Sequence, residues 1–279
     1  MKQKRIDAVV LYNGHPNIKL VGSIFDAFEY YFVMLEHNPN IKLFLINFNK
    51  TFIDYLYNIM EERYILDDLK WKENIIKIPL TSLIHFKFNK VLIVDYTTIP
   101  HTRGFLATKK IIIITEYYTK DKRFQYNKKL YDDVVYYTEM PFEYKDKDYR
   151  IKMLFNRFKP LKHVQKGIFI HSPNNINLDI IPTMLKLDTS KPIYYKKEKH
   201  MSNLFEHFDE YIYYHVNEYF DTHPRMPLEC TYYNKSVKYI RSSDDNYKDG
   251  SYYRFIDLKE NGLKDRSLNK NDEIIQQFI

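Results

Sequence analysis

The chain holds one cysteine, Cys230, in 279 residues. A lone thiol excludes an internal disulfide and any cysteine-built zinc cage, and it suits a reducing cytoplasm. Glycine is scarce, at six residues, and no G-x-G-x-x-G occurs, so the dinucleotide fingerprint is missing. No apolar run approaches the roughly 20 residues that a spanning helix needs. Mean hydropathy is −0.52, and no transmembrane segment is expected. The basic start, Met1–Ile6, leads into Ala8–Tyr12, an apolar stretch too short for the core of a signal peptide. The histidines are scattered, with no H-x-x-x-H on a helix, so zinc catalysis has no signal. Asp146-Lys147-Asp148 has the D-x-D spacing that can hold a cation. It stands in the charged run EYKDKDYR rather than after an apolar strand, and reads as a solvated face. No metal ligand is assigned, and no tightly bound cofactor is expected.

Hydrophobic residues make up 44% of the chain, enough for folded cores. The length fits about two domains. Net charge is +7, and all of the excess lies in residues 1–160, with 26 Lys and Arg against 19 Asp and Glu. Residues 161–279 are balanced. A basic half beside a neutral one points to a polyanion, duplex DNA among them, although a solubilising surface explains the same surplus. The 27 tyrosines and 19 phenylalanines offer stacking surfaces for bases. Tyr, Phe, Lys, Asn and Ile also rise together when coding DNA is rich in A and T, and the count is read mainly as that bias.

Apolar runs alternate with helical patterns. Strands are expected at Asp7–Asn13, Ile41–Asn47, Ile75–Leu80, Lys90–Tyr96, Lys110–Thr115 and Val134–Thr138. Helices are expected at Ser23–Glu36, Phe52–Tyr64 and Tyr149–Phe158. Pro160–Lys166 reads as a linker. The alternation restarts with strand Gly167–His171, a helix near Leu178–Leu187, strand Pro192–Tyr195, a helix near Asn203–Phe208 and strand Tyr211–His215. Near-continuous apolar strands separated by helices imply parallel sheets covered on both faces. The expected fold is α/β, with two Rossmann-like domains facing across a cleft, 1–160 and 161–270, and a closing helix at 271–279 packed back on the first.

Ligands of such sheets bind beyond the carboxyl ends of the strands. The loop after the first strand carries Gly14. Asp95 follows the fourth strand, with His101 and Arg103 in the same loop and Lys109 entering the next strand. Glu116 comes after the fifth, and Ser172 and Asn174 after Gly167–His171. Asp95 and Glu116 stand where a general base for a hydroxyl acceptor belongs. Each is also the kind of carboxylate that caps a helix or pairs with Lys109 or Arg103. His101, Arg103 and Lys109 can meet acceptor phosphates.

The most informative stretch is Phe220–Ile240, FDTHPRMPLECTYYNKSVKYI. It follows a strand, turns, opens a short helix at Pro227-Leu228-Glu229, and leaves into another strand at Val237–Ile240. The orphan N–H groups of that helix attract phosphate. Arg225 adds a forked permanent charge, and Glu229 can accept hydrogen bonds from a diol. These are the demands of a nucleotide sugar.

The unit resembles the donor-site element of GT-B glycosyltransferases, and the organisation is similar to that of phage DNA-base glucosyltransferases. The resemblance implies that His223 and Arg225 face the diphosphate and that Glu229 binds the ribose. It also implies that Asn234-Lys235-Ser236-Val237 is the helix exit, with Lys235 at the donor. It implies sugar transfer from a nucleotide sugar, a UDP-sugar, to a hydroxymethylpyrimidine in DNA, with no required metal, in the cytoplasm of a host if the chain is phage-encoded. A glycan or lipid acceptor at a membrane surface, and a non-catalytic nucleic-acid-binding α/β protein, remain open alternatives.

Overall fold

The computed structural model describes residues 5–13, 22–94, 106–114, 131–136, 151–172, 181–195, 203–215, 225–241, 258–264 and 266–279. The chain divides into two compact units: Met1–Phe158 with Arg266–Ile279, and Lys159–Asp265.

In the first unit β1 (Ile6–Tyr12), β2 (Lys42–Ile46), β3 (Ile75–Ile78), β4 (Lys87–Val94), β5 (Leu106–Ile114) and β6 (Asp133–Tyr136) form one parallel sheet. Its order is β3-β2-β1-β4-β5-β6, the doubly wound order, which reverses between β1 and β4. The strands are apolar on both faces because both are covered. Ala8, Val10, Phe44, Val91, Ile93 and Ile112 share one core. The alternate residues Val9, Leu43, Leu45, Leu92 and Ile111 are equally buried. Each buried Val, Leu, Ile or Phe among them contributes about 1.5–3 kcal/mol.

Helix α1 (Gly22–His37) links β1 to β2, and α2 (Lys50–Arg63) links β2 to β3. Every residue of α1 from Ser23 to Leu35 is buried, as a helix apolar nearly all round must be. Its buried Glu29 accepts a hydrogen bond from the Tyr64 hydroxyl at 2.6 Å. Asn49 caps α2 by accepting from the Phe52 amide.

Side chains repair the places where the ladder fails. The β1–β4 register shifts between Ile6 and Ala8. There the Asp7 carboxylate accepts from the Lys90 amide at 3.1 Å and from the Asn89 side chain at 2.9 Å. At the carboxyl edge Asn47 takes a left-handed conformation, φ 60°, which asparagine tolerates. Its side chain accepts from the Leu80 amide.

Residues 151–158, expected to be helical, are instead extended with one 3-10 turn, Phe155–Arg157. Their backbone bonds go elsewhere. Met153 exchanges bonds with Arg266 and Leu268, and Phe158 bridges Tyr64. Arg157 forks onto Asp68 at 2.7 and 2.8 Å and also holds Glu36 and the Ile65 carbonyl. The closing segment carries a shorter helix than expected, Glu273–Gln276, capped by Asp272. Lys152 meets the Asp272 carboxylate at 2.9 Å.

In the second unit β7 (Ile168–His171), β8 (Ile193–Tyr195), β9 (Glu210–His215) and β10 (Ser236–Arg241) are also parallel. The order β10-β9-β7-β8 reverses between β7 and β9. One face packs Phe169, Tyr211 and Tyr213 against Phe208 and Cys230. The other packs Ile168, Ile170 and Ile212 against Ile181. Helix α3 (Ile181–Met184) is a single turn, and the helix expected near Asn203–Phe208 is a 3-10 turn, Leu204–Glu206. Helix α4 (Arg225–Tyr232) joins β9 to β10. The stretch Pro160–Lys166 is docked on this unit. Leu161 packs into the aromatic core, and the Lys162 and Gln165 amides donate to Glu206.

Gly167 sits where strand, turn and loop converge. Its amide donates to Asp209, and its carbonyl accepts from the amides of Asp209 and Glu210. A Cβ at this position would lie 2.5 Å from the His207 carbonyl oxygen and 3.2 Å from the Tyr194 ring. Backbone cannot yield as a flexible side chain does. Gly167→Ala is therefore expected to lower stability by about 1–3 kcal/mol. Urea unfolding measures this, and an unchanged midpoint would show that the amino edge of this sheet is looser than described.

Candidate functional site

The second sheet reverses between β7 and β9, with α3 packed on one face and α4 on the other, and ligands of open parallel sheets bind beyond the carboxyl ends of the strands at such a reversal. β7 ends at His171, followed by the fully buried Ser172. β9 leads by chain into α4, whose first residue is Arg225. The helix opens two residues earlier than Pro227 suggested. Proline lacks an amide proton, but the first turn needs none, so Pro227 is accommodated as the third helical residue.

Arg225 and Glu229 stand one turn apart and are both buried, at 5% and 2% side-chain exposure. Arg225 Nε lies 3.7 Å from Glu229 Oε1, an ion pair longer than a hydrogen bond. A guanidinium at the first helical residue faces the positive end of the helix dipole, where cations are disfavoured by about 0.3–1 kcal/mol. No acidic residue shares that first turn. The Arg225 charge and the orphan amides of α4 thus meet at one point of the carboxyl edge, with the Glu229 carboxylate opposing that charge.

Lys235 does not join them. It precedes β10 and so lies at the amino edge, on the far side of the sheet. Its ammonium donates to the Phe208 carbonyl at 2.5 Å and stands 4.6 Å from the centre of the Phe208 ring. Burial pushes its pKa below the ordinary lysine value, opposed by the nearby Cys230 and Asp209. These contacts describe a lysine that secures the start of β9 and β10.

Lys109, expected just before its strand, lies inside β5. It pairs in register with Lys90, four residues before Val94, or about 13 Å along the strand. Gly14, Asp95, His101, Arg103, Glu116, Asn174 and His223 lie outside the described residues, as do Asp146 and Asp148.

His171 and Tyr211 were not singled out from sequence. His171 Nδ1 lies 2.8 Å from the Tyr211 hydroxyl, and its ring stands edge-on to Tyr213 with centroids 5.5 Å apart. The sequence does carry a signal, since His171 is the last residue of an apolar strand. A search confined to the loop beyond that strand, where Ser172 and Asn174 lie, passes over it.

Comparison with protein-family models, curated proteins and solved structures finds no match to this chain. Among the described residues there is no group of His, Cys, Asp and Glu arranged to hold a metal ion. No described helix is long and apolar enough to cross a membrane.

The Arg225–Glu229 pair is open to direct measurement. Removing one partner of a buried pair leaves an uncompensated charge and costs about 3–5 kcal/mol. Arg225→Met and Glu229→Leu are each expected to destabilise the fold on that scale, and the double variant less than either. Urea unfolding of the three variants closes the cycle. Simple additivity would show that the two charges do not interact.

Proposed function

We propose that the chain is a glycosyltransferase that moves a sugar from a nucleotide-sugar donor to a hydroxyl acceptor, with the two-domain GT-B arrangement. The observation that carries this reading is the buried Arg225–Glu229 pair at the start of α4, on the carboxyl edge of a parallel sheet. The diphosphate takes the amides of α4 and the guanidinium of Arg225, and Glu229 takes the ribose hydroxyls. Two parallel α/β units, with residues 266–279 returning to the first, fit the same arrangement.

The acceptor is a hydroxymethylpyrimidine in duplex DNA, received by the first unit. Residues 1–160 carry the whole positive excess, which favours a polyanion. The base that takes the acceptor proton is Asp95 or Glu116. Asp95 follows Val94, the last residue of β4, beside the reversal of the first sheet.

Calorimetry with UDP tests the donor site. UDP is expected to bind more tightly than uridine. Arg225→Lys keeps a charge beside Glu229 but removes the fork, and should weaken UDP binding by about 1.5–3 kcal/mol, the worth of a charged hydrogen bond. Equal affinity in wild type and variant would remove Arg225 from the site.

Transfer itself is tested with a UDP-sugar and duplex DNA containing hydroxymethylcytosine, followed by digestion to nucleosides and mass spectrometry. A hexose adduct is the expected product. Asp95→Asn should lose at least about a hundredfold in turnover with donor affinity unchanged. Near-normal turnover passes the role to Glu116, and loss of donor binding marks Asp95 as structural.

A further inference from the structure

A diphosphate carries more negative charge than one arginine neutralises, and His171 ends a strand at the same reversal as the donor site just proposed, on which this inference rests. We propose that the imidazole of His171 is an anion-binding group of that site, held in place by Tyr211, and that its Nε2 proton meets the phosphate gripped by Arg225.

Three observations place His171 there. It ends β7, on one side of the strand reversal, while β9 on the other side leads into α4. The register pairs Phe169 with Tyr211 and His171 with Tyr213. Phe169, Tyr211 and Tyr213 form the core against which Met226 and Cys230 of α4 pack. His171, two residues on from Phe169, therefore faces the same side of the sheet as α4. The ring is only half-buried, so a ligand can reach it.

The contact with Tyr211 gives the ring its direction. In this proposal the Tyr211 hydroxyl donates to Nδ1, 2.8 Å away, and the imidazole proton resides on Nε2. Edge contact with Tyr213 restrains rotation of the ring. The outcome is a fixed N–H donor at the carboxyl end of β7, on the face of the sheet that α4 covers. Tyr211 is a positioning residue here, since it acts through His171.

Calorimetry on the full chain with UDP, inorganic pyrophosphate and uridine tests this, with thermal unfolding followed in parallel. His171→Ala should weaken UDP and pyrophosphate at least tenfold and leave uridine unchanged. Tyr211→Phe should show the same selectivity with a smaller loss. A role confined to packing would lower the unfolding midpoint without discriminating between the ligands. Should His171→Ala fail to fold, His171→Gln and His171→Leu are compared. The glutamine, which can donate, should bind pyrophosphate at least fivefold more tightly, and equal affinities overturn the inference. UDP binding by His171→Ala equal to wild type, with Arg225→Lys weakened, overturns it and leaves the nucleotide site standing. A wild-type chain that binds neither UDP nor pyrophosphate overturns both.

Discussion

Parallel strands cannot be joined by a tight turn, so the chain must cross the sheet between each pair. Both sheets obey this constraint. Every strand in a sheet then ends on the same edge. Amino-edge side chains repair the backbone: Asp7 fills the register shift of β1, and Asp209 receives the Gly167 amide. Lys235 holds the Phe208 carbonyl there. The carboxyl edge of the second sheet gathers His171 and the start of α4 instead.

Buried charge separates these roles further. Lys235 has a carbonyl and a ring face, and both contacts hold backbone in place. Arg225 has Glu229, but it stands where the helix dipole opposes it. A buried pair of this kind is seldom the most stable solution, since apolar residues of similar size often do as well or better. Its placement at a strand reversal is what the proposed nucleotide site draws on.

Much of the fold was legible in the sequence because covered parallel strands advertise themselves. Residues 8–12, 43–46 and 111–113 are buried on alternate sides without a polar break. Residues 151–158 misled because Ile151, Met153, Leu154, Phe155 and Phe158 are all buried, and spacing alone does not say against what. Their partners are Tyr64 and Arg266–Leu268, the latter more than a hundred residues downstream. The four-residue step from Arg225 to Glu229 was readable, whereas the burial of both was not. Lys235 looked like a donor-site residue by its place in a motif, yet a residue just before a parallel strand must lie at the amino edge. The Tyr211–His171 contact joins two strands that are neighbours only because the order reverses, which no local pattern encodes.

The central claim is that a nucleotide sits at the strand reversal of the second unit. Amide hydrogen exchange with and without saturating UDP tests it most directly, because it reports where on the chain the ligand acts. The account predicts slowed exchange in peptides covering residues 225–232 and 168–172, with the amides of β1 and β2 unaffected. Protection confined to the first unit, or none in either segment while UDP is bound, would contradict it.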